Sequence, residues 1–314
     1  MIGSYLKIDS KPLSYQSSKA VLKHLDYNSR FQLHEQCPSL RNVLKVTPGF
    51  LNRLEFVGDC VKINGTTYQL KMTPVKLGST TNHIQLWING NLYAKTVSEP
   101  QNNKELAYLV CKLLRQAWEA VLYVGTLVYG NLIFPGFPKF FKFHVQHLVI
   151  GKDQDASDVL RRFGENFQNS SFKSLELFRT SSFEVPLIQS AEKLIINERM
   201  DLSALKSRRV HVEFKIDSKF LTDLIDCWLW NGAVGKTEKE AGSVFIFAMK
   251  GFREARMFVD DVKMKFEGKF YVDKRWSHYK PCFEFPMQNS SSLQLDYCVE
   301  DEKVILVMRV EQSL

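Results

Sequence analysis

A short apolar template recurs through the middle of this chain. It reads Val145-x-x-Leu148-x-Ile150, then Phe172-x-x-Leu175-x-Leu177, then Ala191-x-x-Leu194-x-Ile196, then Ser207-x-x-Val210-x-Val212. The central positions 148, 175, 194 and 210 stand 27, 19 and 16 residues apart. Leucine-rich repeats run at roughly 20–29 residues with a strand of this kind. Such intervals let the chain leave one strand, cross over and return beside it, as parallel strands require. Between the first two copies Ala156 to Phe167 suits a helix. Asp217 to Trp230 gives another, with Phe220, Leu221, Leu224, Ile225 and Trp228 on one side. Val244 to Phe247 is the next strand. The spacing drifts and no steady Asn follows the strand, so the expectation is an irregular solenoid. Independent strands of an ordinary α/β sheet are the alternative.

The flanks read differently. Phe50 to Thr73 alternates apolar and polar residues, and Asn64-Gly65 between two runs signals a hairpin. Ile84, Leu86 and Ile88 alternate before Asn89-Gly90-Asn91. Val97 to Lys104 is a polar loop and a candidate boundary. Asn103 to about Trp118 keeps helical spacing through Leu106, Leu109, Val110, Leu113, Leu114 and Ala117. Glu254 to Phe270 is basic and amphipathic, with Met257, Phe258, Val262, Met264 and Phe266 apolar. Strands over Phe283–Phe285, Leu293–Tyr297 and Val304–Val310 then close the chain as a hairpin turning at Glu300-Asp301-Glu302.

The opening stretch, Lys11 to Pro48, predicts three short helices. Ser14 caps the first, which puts Ala20, Val21, Leu22 and Leu25 on one face. Asp26, Asn28 and Ser29 turn the chain and offer a second cap. Pro38 fits the first turn of a third helix capped from Cys37 or nearby, and Thr47-Pro48-Gly49 ends it. Helices this short are marginal alone and need each other, the following domain or a partner.

The order Pro12-Leu13-Ser14, Val21-Leu22-x-x-Leu25-Asp26, Arg30-Phe31-x-Leu33, Cys37-Pro38-Ser39-Leu40-Arg41 resembles a degenerate F-box. It departs from the family in the inverted Pro12-Leu13 and in Leu40 where Trp is usual. With Trp228-Leu-Trp-Asn231-Gly232-Ala-Val-Gly235 as second anchor, the whole chain from Lys11 resembles the nematode F-box C proteins. That resemblance implies a non-enzymatic substrate receptor, linking a target protein to a cullin ubiquitin ligase through a Skp-type adaptor. It places the adaptor contact at Leu13, Val21, Leu22, Leu25, Phe31, Leu33 and Leu40. The expected fold class is α/β (α+β): an F-box-like helical segment at 11–48, a small β region at 49–97 and a repeat-like, F-box-associated body at 103–314. A stand-alone repeat protein, or a weak nucleic-acid binder using 253–280, remain the alternatives.

Composition narrows the class. At 314 residues with 45% hydrophobic and 24% charged residues, the chain can bury a real core. The net charge of +8 comes from both signs scattered along the chain, which reads as a mixed surface. The six cysteines form no Cys-x-x-Cys, and Met1 to Ser10 does not read as a signal peptide. Reduced thiols and an intracellular location, cytoplasm or nucleus, are expected. Ala120 to Phe134 is apolar, but Gly and Asn interrupt it and it falls short of the about 20 residues of a span. Core strands are expected there, and no membrane partner.

Chemical motifs find little support. Gly232 to Thr237 imitates the end of a phosphate loop, but position 230 is Trp and a helix precedes it. His144 and His147, three apart on a strand, should point to opposite faces. Lys139 to His144 interleaves base and aromatic, which an amphipathic strand also explains. Asp260-Asp261 reads as a solvated pair. No catalytic, metal-binding or cofactor-binding residue is assigned, and no cofactor is expected.

Overall fold

The computed structural model describes residues 14–74, 82–98, 105–114, 120–130, 141–168, 171–202, 205–230, 242–266, 269–272, 281–287 and 291–312. The fold is mixed α/β. It divides into two compact units, one of Met1–Leu54, Asp59–Gly125 and Phe134–His144, the other of Glu55–Gly58, Thr126–Ile133 and Val145–Leu314.

The first unit opens with helices α1 (Tyr15–His24) and α2 (Tyr27–Gln36), a 3-10 turn over Pro38–Leu40, and α3 (Arg41–Val46). Ser14 caps α1, its hydroxyl accepting from the Ser17 amide at 3.1 Å. Asp26 caps α2, accepting from the amides of Asn28 at 2.9 Å and Ser29 at 3.1 Å. The Ser29 hydroxyl also donates to Asp26, and these bonds hold its carboxyl below the usual range. Pro38 opens the 3-10 turn, not the α-helix, and Cys37 supplies no side-chain cap. The expected apolar face of α1 is redrawn: Ser18 and Leu22 are buried, one turn apart, while Ala20 and Val21 are exposed.

Strands follow: β1 (Gly49–Val57), β2 (Cys60–Ile63), β3 (Thr66–Pro74), β4 (Asn82–Ile88) and β5 (Asn91–Ser98). Helix α4 (Glu105–Leu114) buries Leu109, Val110, Leu113 and Leu114 and leads to β6 (Val121–Tyr129). Asn64 and Gly65, at φ 49° and 85°, turn β2 into β3 in the left-handed geometry that the right-handed twist of the strands prefers. Asn89 and Gly90, at 49° and 81°, do the same between β4 and β5. Gly49 has no room for a side chain: a Cβ would lie 2.7 Å from Leu122 and 2.8 Å from Tyr27. The apolar stretch from Ala120 forms β6, and among the described residues no helix is long and apolar enough to cross a membrane.

The second unit carries the repeat. Its strands are β7 (Lys142–Asp155, in this unit from Val145), β8 (Ser174–Arg179), β9 (Leu194–Ile196), β10 (Arg209–Val212) and β11 (Val244–Met249). From β7 to β11 neighbours pair in parallel and in chain order. The register matches the template: Leu148 faces Leu175, which faces Leu194, which faces Val210, which faces Phe245. Ile150, Leu177, Ile196, Val212 and Phe247 form the next row. Every apolar template position is buried, and the one polar member, Ser207, donates its hydroxyl to the Ile188 carbonyl at 3.2 Å. Helices α5 (Ala156–Phe163), α6 (Pro186–Gln189) and α7 (Ser218–Trp230) lie in three of the crossovers.

Helix α8 (Phe252–Phe266) and strands β12 (Lys269–Val272), β13 (Pro281–Pro286), β14 (Ser291–Glu300) and β15 (Lys303–Gln312) complete the unit. β15 pairs antiparallel with β11, and the β14–β15 turn places Asp301 and Glu302 at φ 49° and 64°. Helix α8 buries Ala255, Phe258, Val259 and Val262 at helical spacing. Met257 and Met264, expected on its apolar side, are 58% and 76% exposed. Its acids are engaged: Asp260 lies 3.8 Å from Arg256, and Asp261 accepts from the Ser218 hydroxyl at 2.5 Å.

Candidate functional site

Two surfaces emerge, one in each unit. The first is the helical start. Two arginines bind its helices to each other. Arg30, on α2, is 1% exposed. Its guanidinium donates to the carbonyls of Pro48 at 2.6 Å and Thr47 at 2.7 Å, past the end of α3, and of Leu44 at 3.4 Å, in its last turn. Arg41, at the start of α3, donates to the carbonyls of His34 at 2.8 Å and Glu35 at 3.3 Å, at the end of α2. Each helix thus puts a cation on the other's negative C-terminus, where orphan carbonyls need donors. Asn28 ties α2 to the hairpin, donating to Thr66 Oγ1 at 3.0 Å and accepting from the Tyr68 hydroxyl at 2.8 Å. Phe31 meets Tyr68 edge-on at 5.7 Å.

The residues expected at an adaptor contact divide into four groups. Leu22 and Phe31 are core, 2% and 1% exposed. Leu25, Leu33 and Leu40 are half-buried against the cluster of Leu22, Val43 and Leu44. Val21 is 49% exposed, as is Tyr15 at 53%, which the sequence pattern did not single out. Leu13 lies outside the described residues.

The second surface is one face of the ladder. Strands β10, β11 and β15 send Val210, Phe245 and Met308 to the side where Trp228 of α7 meets Phe245 edge-on at 4.6 Å. By alternation the residues between them face the other way. One row there reads Ile195, His211, Ile246, Val307 and Asp296, and the row beside it reads Arg209, Val244, Arg309 and Gln294. Over β10, β11, β15 and β14, Arg209, Val244, Ile246, Val307, Arg309 and Asp296 of these rows line a cavity of about 610 Å³. Its floor is apolar, with Ile246, Ile305 and Val307 buried and Val244 and Cys298 packed against them. Arg309 pairs with Asp296 at 2.9 Å, and Gln294 donates to Glu311 at 3.1 Å. Beside β10 the charge is positive. Burial, with Lys193 and Arg209 close by, pushes the His211 imidazole down to about 4, so it is neutral at pH 7. Its Nε2 is buried without a hydrogen-bond partner among the described residues.

The sequence reading missed this face. The signal was present in the positions between the last two apolar residues of each copy: Val149, Glu176, Ile195 and His211.

Other expected motifs resolve plainly. His144 packs on Tyr123 at 5.5 Å, and His147 Nδ1 lies 2.7 Å from Ser174 Oγ. Exposed Gln146 and half-buried His147 both intervene between buried Val145 and Leu148, so strict alternation does not carry through this stretch of β7. Among the described residues no three His, Cys, Asp or Glu side chains gather as metal ligands. Gly232 to Thr237 lies outside the described residues, as do positions 139 and 140. Cys37, Cys60, Cys227 and Cys298 form no disulfide, and burial, helped by Asp59, pushes Cys60 up to about 11.

Residues 101–251 match the family described as Domain of unknown function (DUF3557), a stretch running from just before α4 to the end of β11. It takes in the whole parallel ladder and the β10–β11 side of the cavity. No curated protein and no solved structure matches the chain.

Proposed function

We propose that the protein is a non-enzymatic receptor of the F-box type. Its N-terminal helices dock on a Skp-type adaptor, and its repeat body holds a target protein. The resemblance of Pro12 to Arg41 to a degenerate F-box suggests this reading. The observation that carries it is the partition of apolar residues on the helices. Leu22 and Phe31 serve the chain's own core, while Val21, with Leu25, Leu33 and Leu40 partly open, remains for a partner. Arg30 and Arg41, both in the matched motif, then act as the internal frame of this surface.

The test is calorimetric titration of the full chain against a panel of Skp-type adaptors in physiological salt. Val21→Glu is the informative variant, because Leu22 is core and its substitution would unfold the helices. Binding by the wild type and loss of at least about tenfold in affinity in Val21→Glu, with unchanged thermal unfolding, is expected. No binding to any adaptor, or equal binding by the variant, overturns the proposal.

A further inference from the structure

We infer that the face of the ladder over β10, β11 and β15 is a docking groove for an extended protein segment in which an acidic residue stands beside a large apolar one. The inference rests on the receptor reading above and names the chemistry of its target.

Three observations converge. The cavity of about 610 Å³ has an apolar floor of Ile246, Ile305 and Val307, which suits one or two large apolar side chains. Its β10 side is cationic: Arg209 is exposed on the strand, and Lys193 lies just ahead of β9, close enough for both to depress His211. Neither Lys193 nor Arg209 has an ion pair among the described residues, whereas Arg309 across the floor is already held by Asp296. The available positive charge is thus on one side only, where it selects an anionic group and its position. On the β14 and β15 side Glu300 and Glu311 line the cavity and repel a second acid, so the segment has one orientation.

The test uses the full chain and a phage library of random dodecapeptides, selected in parallel on wild type and on Arg209→Glu. Arg209 is exposed, so the variant keeps the fold; Lys193→Glu serves as a second variant. The expected result is enrichment on wild type of sequences with Asp or Glu next to Leu, Ile, Phe or Met. A synthetic copy of the strongest binder should bind each variant at least about tenfold more weakly. Enrichment of neutral or basic sequences, equal affinity for wild type and variants, or no enrichment overturns the inference. So does a concentration-dependent dimer that Arg209→Glu dissolves, which would assign the face to a second copy of the chain. The adaptor titration on the same preparations separates the two proposals. Peptide binding without adaptor binding leaves the groove and removes the ligase role; the reverse removes the groove alone.

Discussion

The parallel ladder and the N-terminal helices are stabilised in opposite ways. In the ladder, equivalent template positions meet equivalent positions: Leu148, Leu175, Leu194 and Val210 lie in one row, and Ile150, Leu177, Ile196 and Val212 in the next. Each copy buries the same kind of side chain against its neighbours, so no single contact is unique. The helices have no such redundancy. Their apolar cluster is small, built on Leu22, Val43 and Leu44. Beside that cluster and the buried Phe31, they are joined by a few polar groups, each used once: Arg30 on the end of α3, Arg41 on the end of α2, Asn28 on the hairpin. Repetition spreads stability over many residues, and a non-repeating segment concentrates it in a few.

That contrast breaks most sharply at Arg30. Arg30→Ala removes three charge-assisted hydrogen bonds and leaves buried carbonyls unsatisfied, at roughly 1.5–3 kcal/mol for each bond to a charged group. With the long 3.4 Å bond to Leu44 contributing little, a loss of roughly 4 kcal/mol is expected, read as a shift in the urea midpoint of the helical unit. Arg30→Lys should recover little, since an ammonium cannot span carbonyls that a planar fork reaches together. A loss under about 1 kcal/mol would mean that apolar packing, not the arginine, holds the helices.

Leu194→Ala is the matched change in the ladder. Truncating a buried leucine costs roughly 2–5 kcal/mol, depending on how far the site collapses. Flanked by Leu175 and Val210, Leu194 should fall at about 3 kcal/mol, and the same change at Leu175 should cost a similar amount. Widely different costs at these two positions, measured by denaturation, would contradict the equivalence of the copies.

The two regions also differ in what their sequences disclose. The ladder was legible because one apolar template recurs there, and the register follows once the copies are aligned. The hairpins were legible because Asn-Gly at 64–65 and 89–90 has one favoured turn geometry. The helix caps Ser14 and Asp26 were legible because a capping side chain is local. Arg30 was not, because its partners at Leu44, Thr47 and Pro48 are set by how α3 packs, which no local pattern encodes. The same holds for α8, where Met257 and Met264 read as core by type yet lie on the outer side. The candidate groove was half legible: its positions alternate with the template, but its far wall comes from β14 and β15, distant in the chain.

A smaller effect tests a ladder position that carries an ionisable group, His211 on β10. The His211 ring is held down to about 4 in the fold, against an ordinary value near 6.5. Below pH 6.5 the unfolded chain binds a proton that the folded chain refuses, so stability falls as pH drops from about 6.5 towards 4. Because the ring is partly solvated, screening reduces the effect to about 1 kcal/mol. His211→Asn should flatten the stability curve in that window. The carboxyls of Asp26, Asp155 and Asp217 are also lowered, so their contributions fade only at more acid pH and leave the window clear. An unchanged slope between pH 6.5 and 4 in the variant would place the titration elsewhere.

The smallest expected effect on stability is at Val21, next in the chain to buried Leu22. Val21→Glu removes a side chain that is 49% exposed, so it gives up little burial. Glutamate favours the helix over valine by a few tenths of a kcal/mol. Against that, a new acid in the C-terminal half of α1 opposes the helix dipole by a similar amount. The two nearly cancel, and the midpoint should move by less than about 0.5 kcal/mol. Leu22→Ala, one residue on, should cost roughly 2–5 kcal/mol because it opens the cluster with Val43 and Leu44. A Val21 that proves as costly as Leu22 would mean that the chain itself covers Val21, and the adaptor surface would lose its most exposed member. A silent Val21 that nonetheless governs adaptor affinity is the pattern of a residue kept for a partner rather than for the fold.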